Sequence, residues 1–162
     1  MPASWCSIFT LAESLGQILK QQCLTLATAE SCTGGGVGFA ITQTSGSSGW
    51  YLGGINAYSN GVKLSHLGVD HHVLDESGAV SEAVVAQMAL GAAEQLNAQV
   101  SIATSGIAGP DGGSDDKPVG TVCFGWQILD QNHTETSVFS GDREAVRLQS
   151  IEYSLRRLIE LL

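Results

Sequence analysis

Leu24-Thr25-Leu26-Ala27-Thr28-Ala29-Glu30-Ser31-Cys32-Thr33-Gly34-Gly35-Gly36 is the stretch whose reading decides the fold. Leu24 to Ala29 is short, apolar and β-capable, and it breaks abruptly into a run of small polar residues and glycines. Val37 to Thr42 then leaves the turn as a helix. A strand that turns sharply into a helix is the unit from which α/β folds are built.

Working outward, Leu11 to Gln21 carries Leu11, Leu15, Ile18 and Leu19 at helical spacing. Ser45 to Gly49 reads as a loop, and Gly54 to Tyr58 as a strand ending at Ser59-Asn60-Gly61. Ser81 precedes the strongest helical pattern, through Val84, Val85, Met88, Ala89, Ala92, Ala93 and Leu96, and is placed to cap it. Val100 to Thr104 is a strand. Val119 to Leu129 and Thr134 to Phe139 are two more, paired as a hairpin, and Asp142 to Leu162 closes the chain as an amphipathic helix. Alternating helices and strands followed by a hairpin predict one domain over residues 1–162, a three-layer α/β/α sandwich with a mixed β-sheet.

Composition narrows the function. With 43% hydrophobic and 14% charged residues, the chain is suited to a compact core. No apolar run approaches the roughly 18 residues that span a bilayer, and Met1 to Thr10 lacks the basic start of a secretory signal, so no membrane association and a cytoplasmic location are expected. The net charge of -9 leaves no basic stripe for nucleic acid. Cys6, Cys23, Cys32 and Cys123 are scattered, and His71 and His72 are adjacent rather than spaced as ligands, so no metal is expected. The only cations are Lys20, Lys63, Lys117, Arg143, Arg147, Arg156 and Arg157. They suffice for a small anionic ligand.

Four stretches can carry chemistry. At Glu30-Ser31-Cys32-Thr33-Gly34-Gly35, backbone N–H groups at a helix start can hold an oxyanion beside a serine nucleophile, although Ser31 or Thr33 as a plain helix cap fits the turn equally well. Nothing in the pattern prefers Cys32 over a buried thiol. In Asn56-Ala57-Tyr58-Ser59-Asn60-Gly61-Val62-Lys63, a lysine with a lowered pKa can serve as base and Tyr58 can position a proton; a solvated lysine and a core tyrosine are the plain alternative. Thr104, Ser105 and Gly106 open the glycine-rich loop to Gly113, which suits either a ligand wall or a mobile surface loop. Arg143 and Arg147 share a helical face and are suited to a phosphate, or to surface carboxylates.

Together these stretches resemble the CinA C-terminal domain family, in particular its stand-alone members, the nicotinamide-nucleotide amidases. The likeness runs from about Leu11 to the C-terminus. Its markers are Thr28 to Gly35, Tyr58-Ser59-Asn60 with Lys63, Gly78-Ala79-Val80-Ser81, Ser105-Gly106-Ile107-Ala108-Gly109-Pro110 and Lys117-Pro118-Val119-Gly120-Thr121-Val122. The resemblance implies hydrolysis of nicotinamide mononucleotide to nicotinate mononucleotide and ammonia, in pyridine-nucleotide salvage and without a cofactor. It implies Ser31 as nucleophile, Lys63 as base, Tyr58 as assistant, and a homodimer. On this reading Thr33, Gly34 and Gly35 hold the oxyanion, Arg143 and Arg147 take the substrate phosphate, and Asn56, Thr104, Ser105 and Gly106 line the substrate. The alternatives are a non-catalytic competence or regulatory binding domain, and an amidase for another small amide.

Overall fold

A computed structural model describes residues 3–162. Its elements run α1 (Trp5–Gln22), β1 (Leu26–Glu30), α2 (Gly36–Thr42), β2 (Tyr51–Asn56), α3 (Asn60–Leu67), α4 (His71–Ser77), α5 (Glu82–Leu96), β3 (Val100–Gly106), β4 (Thr121–Ile128), β5 (Gln131–Val138) and α6 (Arg143–Leu161). One sheet has the order β2-β1-β3-β4-β5. β1 is parallel to both β2 and β3, while β4 and β5 continue antiparallel, so the expected mixed sheet is present.

Strand alternation sorts the core into two layers. Leu26, Ile102, Val122, Phe124 and Trp126 pack on α1, α2 and α6 through Leu15, Leu19, Ile41, Ile151 and Leu155. Phe124 and Trp126 stack at 5.7 Å, and the buried indole N–H of Trp126 donates to the Ser154 carbonyl at 3.1 Å. The other face is built from small residues, Ala27, Ala29 and Ala103, which let α5 lie close with Val84, Val85, Met88 and Ala89. Close packing there is strict: a Cβ on Gly91 of α5 would stand 1.9 Å from the Leu67 carbonyl oxygen of α3. With helices on both faces, this is the α/β/α sandwich the sequence predicts.

Several boundaries differ from expectation. α1 begins at Trp5 rather than Leu11, because Ser4 and Ser7 form a reciprocal capping box. The residues read as a turn, Ser59-Asn60-Gly61, start a helix instead: Ser59 caps α3, its hydroxyl accepting from Val62 N at 3.3 Å. α4 is capped likewise by Asp70, whose carboxylate accepts from His72 N at 2.7 Å. Within the expected loop, Ser47–Gly49 makes a single 3-10 turn. β5 begins at Gln131, three residues before Thr134, and forms the sheet edge with a mostly polar face. Ser81 caps α5 as expected.

The connections prepare a site. From β1 the chain leaves to α2 on one face of the sheet, and from the adjacent parallel β2 it leaves to α3 on the other. Such a divergence opens a crevice beyond the carboxyl ends of the strands.

Candidate active site

Ser31 is the first residue beyond β1. Its amide donates to the Thr104 carbonyl at 3.0 Å, extending the β1–β3 ladder and fixing the start of the turn. The turn is braced from beneath by Glu30, which is 1% exposed. Its carboxylate accepts from Thr33 Oγ1 at 2.7 Å, Val37 N at 3.0 Å and Gly38 N at 2.8 Å. Because the Thr33 hydroxyl proton is committed to Glu30, the 2.8 Å contact between Thr33 Oγ1 and Thr104 Oγ1 has Thr104 as donor. The residue at the start of α2, Gly35, has φ 90° and offers no side-chain cap; the Glu30 carboxylate does that work at the positive end of the helix.

Lys63 comes from the other side of the crevice, on α3, and is 1% exposed. Its Nζ donates to Ser31 Oγ at 3.1 Å and to the Ala57 carbonyl at 2.8 Å. It forms no ion pair with a carboxylate among the described residues. Burial without a counter-charge disfavours the ammonium and holds the Lys63 pKa below the ordinary lysine value. Cys32, also buried, is the reverse case: burial pushes its thiol up to about 12, with the Glu30 carboxylate adding to the effect. A thiol that stays protonated at neutral pH is a poor nucleophile, which leaves the Ser31 hydroxyl, bonded to Lys63, as the candidate for that role.

Ser31 and Lys63 open into a cleft of about 210 Å³ whose wall includes Tyr58, Asn60, Ser105, Gly106 and Arg143. Four other predicted residues of this cleft therefore come together with Ser31 and Lys63. Tyr58 is not a relay in this arrangement: it is 64% exposed at the rim, and its hydroxyl accepts from Arg143 Nη2 at 3.1 Å rather than bonding Ser31 or Lys63. Arg143 Nη1 donates to the Gly109 carbonyl at 2.8 Å, tying the rim to the loop after β3. The Ser105 hydroxyl is spent on the Ala79 carbonyl at 2.7 Å.

The remaining predicted residues are set back from the cleft. Thr33 and Thr104 are fully buried and bonded to each other. Asn56 lies beside Gly35, whose added Cβ would meet its side-chain nitrogen at 3.0 Å. The Gly34 amide donates to the Ser31 carbonyl and the Gly36 amide to that of Thr33. Among the described residues the amides of Cys32, Thr33 and Gly35 have no main-chain acceptor. Arg147 Nη2 donates to the Thr33 carbonyl at 3.0 Å. Arg147 and Arg143 also line a second cavity of about 370 Å³ with Trp5, Gly36, Glu144, Leu148 and Ile151, so Arg143 stands between the two spaces. Neither arginine pairs with a carboxylate among the described residues. Another concavity, about 560 Å³ along α6, is lined by neither lysine nor histidine.

Glu30, Ala57 and Asn60 received no role from the sequence. Glu30 had a visible signal, a lone acid between an apolar strand and a glycine turn; Ala57 acts through its carbonyl and had none.

No described helix is long and apolar enough to cross a membrane. Comparison with known proteins agrees with the geometry. The family model for the CinA C-terminal domain matches residues 8–162. "Nicotinamide-nucleotide amidohydrolase PncC" of Escherichia coli (strain K12) is 47% identical over 152 residues, covering 93% of this chain and 92% of that protein. The protein of the same name from Pseudomonas putida is 46% identical, covering 95% and 96%. A crystal structure of a competence-damaged protein (CinA) superfamily protein from Escherichia coli superposes with a TM-score of 0.93 at 41% identity, covering 96% of this chain and 90% of that one. With the family model covering nearly the whole chain and the strand-end site intact, this protein belongs to the CinA C-terminal domain family.

Proposed function

We propose that this protein is a nicotinamide-nucleotide amidohydrolase that hydrolyses nicotinamide mononucleotide to nicotinate mononucleotide and ammonia, serving pyridine-nucleotide salvage. The observation that carries the mechanism is the buried Lys63 amine 3.1 Å from Ser31 Oγ, without a counter-ion. The names and coverage of the relatives support the substrate.

In the amine form Lys63 keeps donating to the Ala57 carbonyl, which aims its lone pair at Ser31. Lys63 takes the Ser31 hydroxyl proton as Oγ bonds to the carboxamide carbon. The carboxamide oxygen gains negative charge, for which the Cys32 and Thr33 amides, next in the chain after the nucleophile, are the available donors. The C–N bond then breaks, the Lys63 ammonium returns its proton to the leaving nitrogen, and ammonia departs. Water attacks the ester in the same way, giving its proton to Lys63 and then to Ser31, and the carboxylate product leaves. The chemistry needs no metal or other cofactor. The cationic pyridinium ring withdraws electrons from the carboxamide and eases attack. Arg143 and Arg147, which pair with no carboxylate among the described residues, are the candidate partners of the phosphate, with the ring in the Ser31 cleft.

Gly34, Gly35 and Thr104 shape the turn rather than touch substrate, and Thr33 reaches it through its amide alone; Ser105, Gly106 and Asn56 line or flank its approach; and Tyr58 holds Arg143. The resemblance further supports a homodimer, which light scattering tests; the cytoplasmic location expected from the sequence is tested by cell fractionation.

The deciding experiment measures ammonia release from nicotinamide mononucleotide by purified protein with chelator present, beside Ser31→Ala and with nicotinamide as a second substrate. Release by the wild type only, with the nucleotide preferred, supports the proposal. No release from folded wild type overturns it and favours a binding domain.

A further inference from the structure

Nucleophile and base sit on separate elements, so something must set their spacing, and Glu30 touches both arms. Its side chain accepts from Thr33 Oγ1, Val37 N and Gly38 N, all downstream of Ser31 in the turn and the first turn of α2. Its main-chain carbonyl accepts from Ala57 N at 2.8 Å, and the Ala57 carbonyl in turn holds Lys63 Nζ at 2.8 Å. One buried residue thus pins the loop that presents Ser31 by its side chain, and by its backbone the carbonyl that orients Lys63.

We propose that Glu30 is a positioning residue that holds Ser31 at attacking distance from Lys63 through the Glu30–Thr33–Thr104 hydrogen-bond chain. The inference rests on the reading of Ser31 as nucleophile and Lys63 as base. Each of its links is specific. Both Glu30 oxygens face donors, so a glutamine in its place must turn its NH2 toward an N–H or O–H whichever way it flips. Aspartate is shorter by one methylene and falls short of the α2 amides. Thr33 is the relay: Thr104, which makes no side-chain hydrogen bond to Glu30, joins the network through the Thr33 hydroxyl, and the Thr104 carbonyl in turn fixes the Ser31 amide. Displacements well under an ångström at such a pair cost rate far more than affinity.

The test compares wild type, Glu30→Gln, Thr33→Val, Thr33→Ser and the Glu30→Gln/Thr33→Val double variant. Two readouts are used, both per folded molecule: steady-state ammonia release from nicotinamide mononucleotide, and the rate at which a small aryl sulfonyl fluoride labels Ser31, located by peptide mass spectrometry. In the labelling step Ser31 Oγ bonds to sulfur, fluoride leaves, and Lys63 takes the proton, so the substrate's identity is irrelevant. The expected result is a loss of about tenfold or more in both kcat and labelling rate for Glu30→Gln and Thr33→Val. KM stays within about twofold, the double variant is no worse than the poorer single one, and Thr33→Ser restores wild-type rates. A residue that only stabilised the fold would lower Tm and leave both rates per folded molecule unchanged, and that outcome overturns the proposal. If Glu30→Gln does not fold, Thr33→Val decides by the same criteria. If wild type is labelled at Ser31 yet releases no ammonia, the substrate reading fails while the labelling rates still decide this one. If wild type is neither labelled nor active, the nucleophile reading fails and this proposal falls with it.

Discussion

Lys63 donates to both Ser31 Oγ and the Ala57 carbonyl, at 3.1 and 2.8 Å, from a buried position at the cleft wall and with no carboxylate partner among the described residues. An ammonium there has lost its hydration and gained only neutral partners. That environment holds the lysine pKa below its ordinary value and makes its proton felt by both activity and stability.

The activity should therefore rise with pH as Lys63 loses its proton, and the midpoint of that acid limb should lie below the ordinary lysine value of about 10.4. Lys63→Met should lower kcat by about 10²- to 10⁴-fold and abolish the limb. A pH profile of kcat/KM checks both, and an unchanged limb in Lys63→Met removes Lys63 as the base.

Stability should follow the same proton with a definite sign. The folded-state pKa is depressed, so between it and the unfolded value the unfolded chain binds more protons than the native one. Raising pH through that window stabilises the native state, whereas the ammonium form below it bears the full penalty of burial. Urea denaturation at pH 7 and pH 10 should show wild type gaining stability relative to Lys63→Met as pH rises.

Tyr58→Phe should lower kcat by less than about tenfold, since the phenol binds Arg143 at the rim and reaches neither Ser31 nor Lys63. A loss as deep as that of Ser31→Ala would mean that the hydroxyl swings inward during the reaction.

Arg147→Ala should raise KM for the phosphorylated substrate about tenfold or more and leave kcat nearly unchanged, the mark of a contact equal in ground and transition states. Its effect on nicotinamide, which carries no phosphate, should be negligible. Steady-state kinetics on the two substrates separates a phosphate contact from damage to the Thr33 turn, which would lower kcat on both.

Gly91→Ala should destabilise the protein by about 1–3 kcal/mol, because the new methyl meets the Leu67 carbonyl oxygen and pushes α5 from α3. Since Lys63 rides on α3, kcat should fall as well. Urea denaturation together with kinetics tests the pair of effects.

The layer order and the hairpin were legible because apolar periodicity is a local signal, and the strand–glycine turn–helix unit announced both the fold and the place of Ser31. α3 was hidden because Ser59-Asn60-Gly61 has the composition of a turn, and its cap is recognisable only once Val62 is known to turn back on Ser59. The polar opening of β5, Gln131-Asn132-His133, concealed a strand that needs only one buried neighbour, β4. Residue types also named Lys63 without revealing what lowers its pKa or what aims it: its burial and its bond to the Ala57 carbonyl are tertiary facts. Tyr58 lines the same cleft, but its bond to Arg143 was not legible, since proximity in sequence to Lys63 says nothing about which way a phenol points.

The ends of β1, β2 and β3 lie together at one end of the sheet, and Ser31 and Lys63 meet there although they are 32 positions apart in the chain. The β4–β5 hairpin can form from neighbours in sequence, but this meeting requires the β1–α2–β2 parallel crossover to be complete. A reactive Ser31 is thus a stopwatch for folding: it cannot appear before that non-local crossover has closed.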